Sequence, residues 1–151
     1  AELLGELPKE SPFFYLMETA RNLCLVLEKK ADLGREIRLA YSQEDKETLQ
    51  EIANIKIPVL LQRLQDFYQS FRTQWNLENK SFGFEVQTVR IGGLLQRRKD
   101  VQEILNAYLR EEISGIAELN EPQKAFHYFE QNEIRSLNYN LWTDIVTPSK
   151  I

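Results

Sequence analysis

The amino-acid sequence predicts an all-α protein, a helical bundle of three to four long helices followed by an irregular C-terminal strap. Apolar side chains recur every three or four residues along most of the 151 residues, which is the repeat of a helix that buries one face. With 42% hydrophobic and 28% charged residues, the composition is that of a folded globular chain rather than a disordered, collagen-like or membrane-embedded one. We therefore expect residues 1–151 to form a single helical domain.

The first helix is predicted between Ser11-Pro12 and Gly34. Serine caps backbone N–H groups, proline suits the first helical position because its missing N–H is not needed there, and glycine is common where helices stop. Residues 35–41 then form a helical turn or a second helix broken at Gly34. Leu25 and Val26 add a second apolar side, which indicates burial on two sides. The main apolar face comprises Phe13, Leu16, Met17, Ala20, Leu23, Cys24, Leu27 and Ala31.

A second long helix is predicted over residues 42–75, beginning at Ser42. If straight, it would be about 50 Å long. Pro58 lies inside this stretch. Because proline removes the hydrogen bond to the carbonyl four residues earlier, we expect a kink or a break just before it. Acidic residues of the first turn, which oppose the helix dipole, are Glu44, Asp45 and Glu47. The core-facing residues are Leu49, Ile52, Ala53, Leu60, Leu64, Phe67, Tyr68, Phe71 and Trp75.

The third long helix is predicted over residues 84–113, after a polar connection at residues 76–83. It contains Gly92-Gly93, and each glycine costs about 1 kcal/mol relative to alanine inside a helix. The commoner use of such a pair is close packing of the backbone against a neighbouring helix. The rarer use is a hinge or the approach of a ligand to the main chain. The apolar residues of this helix are Val86, Val89, Leu94, Val101, Leu105 and Tyr108.

The C-terminal part of the sequence changes character. Residues 120–122, Asn-Glu-Pro, indicate a turn. A short helix is predicted over residues 125–137. The strap, residues 139–147, is aromatic and β-branched and favours an extended conformation.

The rarest residue types exclude several classes of chemistry. His127 is the only histidine and Cys24 the only cysteine, so a zinc cluster of His and Cys ligands, a disulfide framework, a Cys-x-x-Cys pair and a His-containing di-iron site are excluded. We expect no cofactor and no metal. We expect His127 to lie in an aromatic-rich helix and Cys24 to be buried as a small hydrophobic residue.

The charge distribution predicts neither nucleic acid nor membrane as a partner. Nineteen basic and 23 acidic side chains give a net charge of −4, without the basic surface that phosphate backbones or acidic lipids require. No apolar run is long enough to span a bilayer, and the N-terminus lacks the pattern of a secretory signal. A single thiol is compatible with a reducing compartment, and we expect a cytoplasmic protein.

A basic cluster on the third helix is one candidate functional surface. It comprises Arg90 and the Arg-Arg-Lys run at residues 97–99. Arg90 and Arg97, and less closely Arg98, share a face that could bind an anion or pair with carboxylates of an adjoining domain. The alternative, which we favour, is a solvated face neutralised by Asp100 and Glu103 in the next turn.

Aromatic residues near the C-terminus form a second candidate surface. They could stack on a sugar ring or pack against a partner, although core packing is the commoner fate of scattered aromatic side chains. They are Tyr128, Phe129, Tyr139 and Trp142.

Several segments are similar to those of a known family. They are residues 14–16, 32–41, 82–87 (Phe-Gly-Phe-Glu-Val-Gln), 90–94 (Arg-Ile-Gly-Gly-Leu), 97–109 and 139–142 (Tyr-Asn-Leu-Trp). Nearly the whole chain resembles the C-terminal helical domain of bacterial β-N-acetylhexosaminidases of glycoside hydrolase family 20.

The resemblance implies an (α/β) barrel upstream that removes terminal N-acetylglucosamine or N-acetylgalactosamine. In such enzymes the 2-acetamido oxygen of the substrate attacks the anomeric carbon, while a glutamic acid protonates the leaving oxygen and an adjacent aspartate orients the acetamide. No Asp-Glu dipeptide occurs in this sequence, so no catalytic residue is assigned to it.

The sequence thus predicts an accessory domain excised from a larger enzyme, without activity of its own. It would support stability, packing against the barrel or formation of a homodimer. The predicted interface includes Arg90, Arg97, Tyr139 and Trp142, because a domain cut from its parent exposes what it formerly buried. The alternative is a free-standing helical module that binds a partner protein.

Overall fold

Helices account for all regular structure in residues 10–121, the part of the chain that the computed structural model describes. The all-α prediction is confirmed, and three of the helices are long and packed together. The predicted helix at residues 125–137, with His127, and the strap at residues 139–147 lie outside the described residues. The elements are α1 (Phe14–Lys30), α2 (Leu33–Ser42), α3 (Lys46–Glu51), a π-helical turn (Ile52–Lys56), α4 (Ile57–Glu78), α5 (Phe84–Leu109) and α6 (Ala117–Asn120).

The hydrophobic core lies where α2, α3, the π-helical turn, α4 and α5 meet. A second layer of aromatic side chains fills the far half of the contact between α4 and α5, where Phe71 packs edge-on against Trp75 and Phe84. α1 lies along α4 on the other side. The buried apolar residues of the main core are Val26, Leu33, Ile37, Ala40, Leu49, Ile52, Ala53, Ile57, Leu60, Leu64, Leu105 and Ile116.

The break between the first two helices lies at Ala31 and Asp32, so the predicted stop at Gly34 is wrong. Gly34 is the second residue of α2. Leu33, Ile37 and Ala40 are all buried, at the i, i+4, i+7 spacing of one helix face. The chain turns just before Leu33 because this face must reach the core, and that requirement outweighs the local preference of glycine for a helix end.

The predicted apolar face of α1 is largely exposed, contrary to expectation. The helix packs on α4 through its second side, where Val26 is buried and Asn22 donates a hydrogen bond to Ser70 Oγ (3.1 Å). Leu23 and Leu27 remain 40% and 49% exposed. Cys24 lies beside them and is also exposed, so its predicted burial is wrong. We call Ala20, Leu23, Cys24 and Leu27 the outer face of α1.

The second long helix begins later than predicted. Ser42 is the last residue of α2, and its hydroxyl donates to the carbonyl of Leu39 (2.8 Å). The N-cap is Asp45, whose carboxylate accepts from the backbone N–H of Thr48 (3.0 Å) and from its hydroxyl (2.7 Å). These hydrogen bonds lower the pKa of the Asp45 carboxyl group because they favour its charged form.

The Asp45 cap predicts a pH-dependent contribution to stability. The stabilisation is present above the unfolded pKa, about 3.9, and is lost as the pH falls through the lower folded value. Asp45→Asn keeps an equally good cap without the charge. Between pH 7 and pH 3, the urea midpoint should therefore fall less in Asp45→Asn than in wild type. Equal falls in the two proteins would contradict the prediction, because the other carboxylates are common to both.

Where a kink or a break was expected just before Pro58, the helix continues without a break through a π-helical turn, Ile52–Lys56. In this turn the N–H of Ile57 reaches the carbonyl of Ile52, five residues earlier. The next bond in that register would join Pro58 to the carbonyl of Ala53, but proline has no N–H. The side-chain amide of Gln102 on α5 donates to the Ala53 carbonyl instead (2.7 Å). The proline therefore leaves an acceptor that a neighbouring helix satisfies.

The glycine pair of α5 is exposed, so close packing against a neighbouring helix is wrong for both residues. A Cβ atom at Gly92 or Gly93 would have no atom of residues 10–121 within 4 Å. Val89, one turn earlier, is 56% exposed and not a core residue. α5 begins at Phe84 as predicted, after Gly83 with φ of 97°, and ends at Leu109 rather than at residue 113.

Alanine at either glycine should stabilise the chain. Gly92→Ala and Gly93→Ala should each raise the free energy of unfolding by about 1 kcal/mol. Gly115→Ala is the control and should give a smaller gain or none, because its Cβ would lie 3.1 Å from Tyr41 Oη and 3.2 Å from Asn120 Nδ2 and these groups would have to shift. Urea denaturation of the three variants measures the effect. Destabilisation by Gly92→Ala would show that another group approaches that backbone closely.

Candidate functional site

The arginine side of α5 is the first candidate surface. Arg97 forms an ion pair with Glu118 of α6, with Nη2 2.9 Å from each carboxylate oxygen. The predicted neutralisation by Asp100 and Glu103 is wrong for this arginine, and Asp100 instead accepts from Gln96 (2.8 Å). Because the pair is half exposed, it contributes little to stability. The carboxylate of this ion pair belongs to a different helix from the arginine, so the pairing cannot be predicted from the local sequence.

Arg98 borders a cavity of about 160 Å³ between α2, α5 and the α6 segment. Its Nε atom is buried and has no hydrogen-bond partner among the residues that the structure describes. Burial, and secondarily the charge of Arg97, lower the pKa of the Arg98 guanidinium, because both disfavour its charged form. The remaining lining is mainly apolar and includes Ile37, Val101, Ile104, Leu105, Ile116 and Leu119.

Two residues of α2 hold the α6 segment over this cavity. The guanidinium of Arg38 donates to the backbone carbonyls of Glu118 (3.3 Å) and Glu121 (3.2 Å). The hydroxyl of Tyr41 accepts from the N–H of Ile116 (3.0 Å) and donates to Asn120 Oδ1 (2.9 Å). Neither role was predicted from the sequence, because each contact joins residues about 75 or more positions apart in the chain.

A polar groove lies between α1 and α4, with a volume of about 400 Å³. At its floor, the amide of Asn22 donates to Ser70 Oγ and, at 3.4 Å, to the carbonyl of Asp66. The polar groups of the two helices thus form hydrogen bonds with one another. The packing of α1 on α4 explains the groove without a ligand. Its other lining residues are Glu18, Arg21, Gln69 and Thr73.

The described part of the chain contains neither a candidate metal site nor a helix that could span a membrane. No group of three or more His, Cys, Asp or Glu side chains in residues 10–121 is placed to hold a metal ion. No helix in that range is both long enough and apolar enough to cross a membrane.

Comparison with protein families identifies the chain. A family model described as the Glycoside Hydrolase 20C C-terminal domain matches residues 2–138. The chain belongs to this family. A glycoside hydrolase 20C C-terminal domain implies a catalytic domain in the same chain. A search of curated proteins gave no significant match.

Two of the four predicted interface residues of the glycoside hydrolase 20C C-terminal domain lie in the described part of the chain. Arg90 and Arg97 lie two turns apart on α5, about 10 Å along its axis. Arg90 is half-buried, and Arg97 contacts Glu118. Tyr139 and Trp142 lie outside the described residues. The interface prediction stays a prediction.

Proposed function

We propose that this chain is the accessory C-terminal domain of a β-N-acetylhexosaminidase and stabilises the catalytic domain by packing against it. The catalytic domain would remove terminal N-acetylglucosamine or N-acetylgalactosamine. Arg90 and Arg97, the latter already paired with Glu118, would border that contact, and Tyr139 and Trp142 would extend it.

The exposed outer face of α1 carries this proposal. Leu23 and Leu27, almost half exposed, lie one turn apart beside exposed Cys24. A continuous apolar surface on a helix marks a contact with another protein surface. The surface that would cover this face belongs to the catalytic domain, which family membership leads us to expect in the same chain. Covering these side chains would contribute about 25 cal/mol for each Å² of apolar surface removed from water.

Three proteins test the proposal: the full-length parent, the parent truncated before this domain, and the 151-residue chain alone. Each is assayed with a chromogenic N-acetylglucosaminide and by thermal unfolding. We expect turnover by the parent, none by the isolated chain, and a lower unfolding temperature for the truncated enzyme. A truncated enzyme with unchanged unfolding temperature and unchanged kcat/KM would contradict a stabilising role, and turnover by the isolated chain would contradict an accessory one.

The outer face of α1 is tested separately by a double variant, Leu23→Ser with Leu27→Ser. In the parent it should lower the unfolding temperature, whereas in the isolated chain it should have little effect because both side chains are already exposed. Light scattering of the parent distinguishes the covering surface. A dimer that becomes monomeric in the variant assigns the outer face to a contact between two subunits, which would replace the catalytic domain as the occupant.

A further inference from the structure

Three of the four most exposed large hydrophobic side chains of the described residues gather at one end of the bundle. They are Phe82 (86% exposed), Leu77 (64%) and Phe13 (60%). Phe13 immediately precedes α1, Leu77 lies in the last turn of α4, and Phe82 lies in the connection to α5. We call this set the entry end, because the chain preceding α1 joins the bundle here.

A hydrogen bond ties the start of α1 to the end of α4. The hydroxyl of Tyr15 donates to Glu78 Oε1 (3.2 Å), and Gln74 donates to the other oxygen of the same carboxylate (3.2 Å). Phe13 lies two positions before Tyr15 in the sequence, and Leu77 lies directly before Glu78. The three apolar side chains therefore belong to the same end of the molecule.

The loop that carries Phe82 is held in place by side chains on both sides of it. The indole Nε1–H of Trp75 donates to the carbonyl of Lys80 (2.9 Å), and the carboxylate of Glu85 accepts from the N–H of Gly83 (2.7 Å). Gly83 has a left-handed backbone conformation with φ of 97°. A Cβ atom at this position would lie 3.4 Å from the ring of Trp75. Phe82 is thus presented to solvent by a preorganised loop rather than by a loose one.

We propose that the entry end is the surface on which the upstream catalytic domain of the parent enzyme docks. This inference rests on the proposed function and names its contact surface. A C-terminal domain receives its chain from the catalytic domain, and that chain reaches the bundle at the entry end. Aromatic side chains are enriched at the centres of protein interfaces, with polar groups around them. The chain between Leu77 and Phe82 is polar and consists of Glu78, Asn79, Lys80 and Ser81.

Single substitutions in the parent enzyme test this surface. Phe82→Ser and Leu77→Ser remove apolar contact at the entry end without emptying a buried site. Ile55→Ser is the matched control, because Ile55 is 60% exposed and precedes α4 at its opposite end, roughly 30 Å away along the helix. Each variant is made both in the parent and in the 151-residue chain.

In the parent, Phe82→Ser and Leu77→Ser should each lower the unfolding temperature of the catalytic domain by at least about 2 °C. Both should also speed proteolytic cleavage between the two domains. Ile55→Ser should change neither, and in the 151-residue chain all three variants should unfold as the wild type does.

Four results would overturn the proposal. The first is an equal effect of Ile55→Ser and Phe82→Ser in the parent, or no effect of either. The second is destabilisation of the 151-residue chain by Phe82→Ser, which would mean that the chain's own residues cover this end. The third is loss of a dimer, which would assign the end to a second copy. The fourth is a raised KM for the chromogenic substrate with unchanged stability, which would assign Phe82 to sugar binding. A parent without hexosaminidase activity would instead refute the proposed function.

Discussion

Replacing Leu60 by alanine should lower the free energy of unfolding by about 2–5 kcal/mol. Leu60 is the fourth residue of α4 and is completely buried in the main core, among residues of α3, the π-helical turn and α5. Alanine would remove its packing and leave a cavity that the surrounding helices can fill only in part. Urea unfolding of the 151-residue chain, followed by circular dichroism, measures the loss.

Leu27→Ala is the matched control, since it makes the same chemical change on a side chain that is 49% exposed. Its effect should stay within about 0.5 kcal/mol. The hydrophobic periodicity of the sequence places both leucines on the apolar face of a helix. The two variants therefore differ mainly in how deeply the leucine is buried. Equal losses for the two variants would mean that α1 packs through its outer face, contrary to the structure.

Gln102→Leu should cost about 1–3 kcal/mol, the range for a polar group left without a partner in the interior. Leucine has a similar size but cannot donate to the Ala53 carbonyl, which Gln102 satisfies at 2.7 Å. The π-helical turn and the missing N–H of Pro58 leave this carbonyl with no helical donor in that register. Gln96→Leu is the control, because Gln96 is exposed and bonds only Asp100 of the same helix.

A double-mutant cycle tests why the Gln102 contact exists. Pro58→Ala supplies an N–H at the position that would reach Ala53 in the π register. Gln102→Leu should therefore cost less in the Pro58→Ala background than in wild type, with a coupling of about 0.5–3 kcal/mol. Additive effects would show that the amide of Gln102 and the proline act independently, and would contradict the proposed origin of this contact.

The packing of α1 bears directly on function. This helix packs on α4 through the side that carries Thr19, Asn22 and Val26 and leaves Leu23 and Leu27 outside. A chain selected to be stable alone would gain from burying the leucines instead, by about 1.5–3 kcal/mol for each side chain fully removed from water. The choice is consistent with a domain that works inside a larger protein, where a second surface covers the leucines.

Elements whose signals are local followed from the sequence. The helical repeat predicted the all-α class, Pro58 indicated an irregularity just before it, and the polar connection at residues 76–83 predicted the start of α5 at Phe84. The predicted core stripe from Leu49 to Leu64 is buried. These features depend on the spacing of apolar residues and on the covalent restrictions of proline, which any window of the sequence contains.

Other features were decided only by the tertiary structure, because they depend on which surfaces meet. The sequence placed Cys24 in the interior, stopped the first helix at Gly34 and buried Gly92-Gly93 against a neighbour, and each of these expectations failed once the helices packed. Local sequence likewise gave no sign that Arg97 pairs with Glu118. A helix with two apolar sides can pack through either, and the choice depends on the total fit of all helices together. The sequence by itself therefore determined the helices and the family they resemble, whereas packing decided which apolar side chains face the core and which remain exposed for another domain.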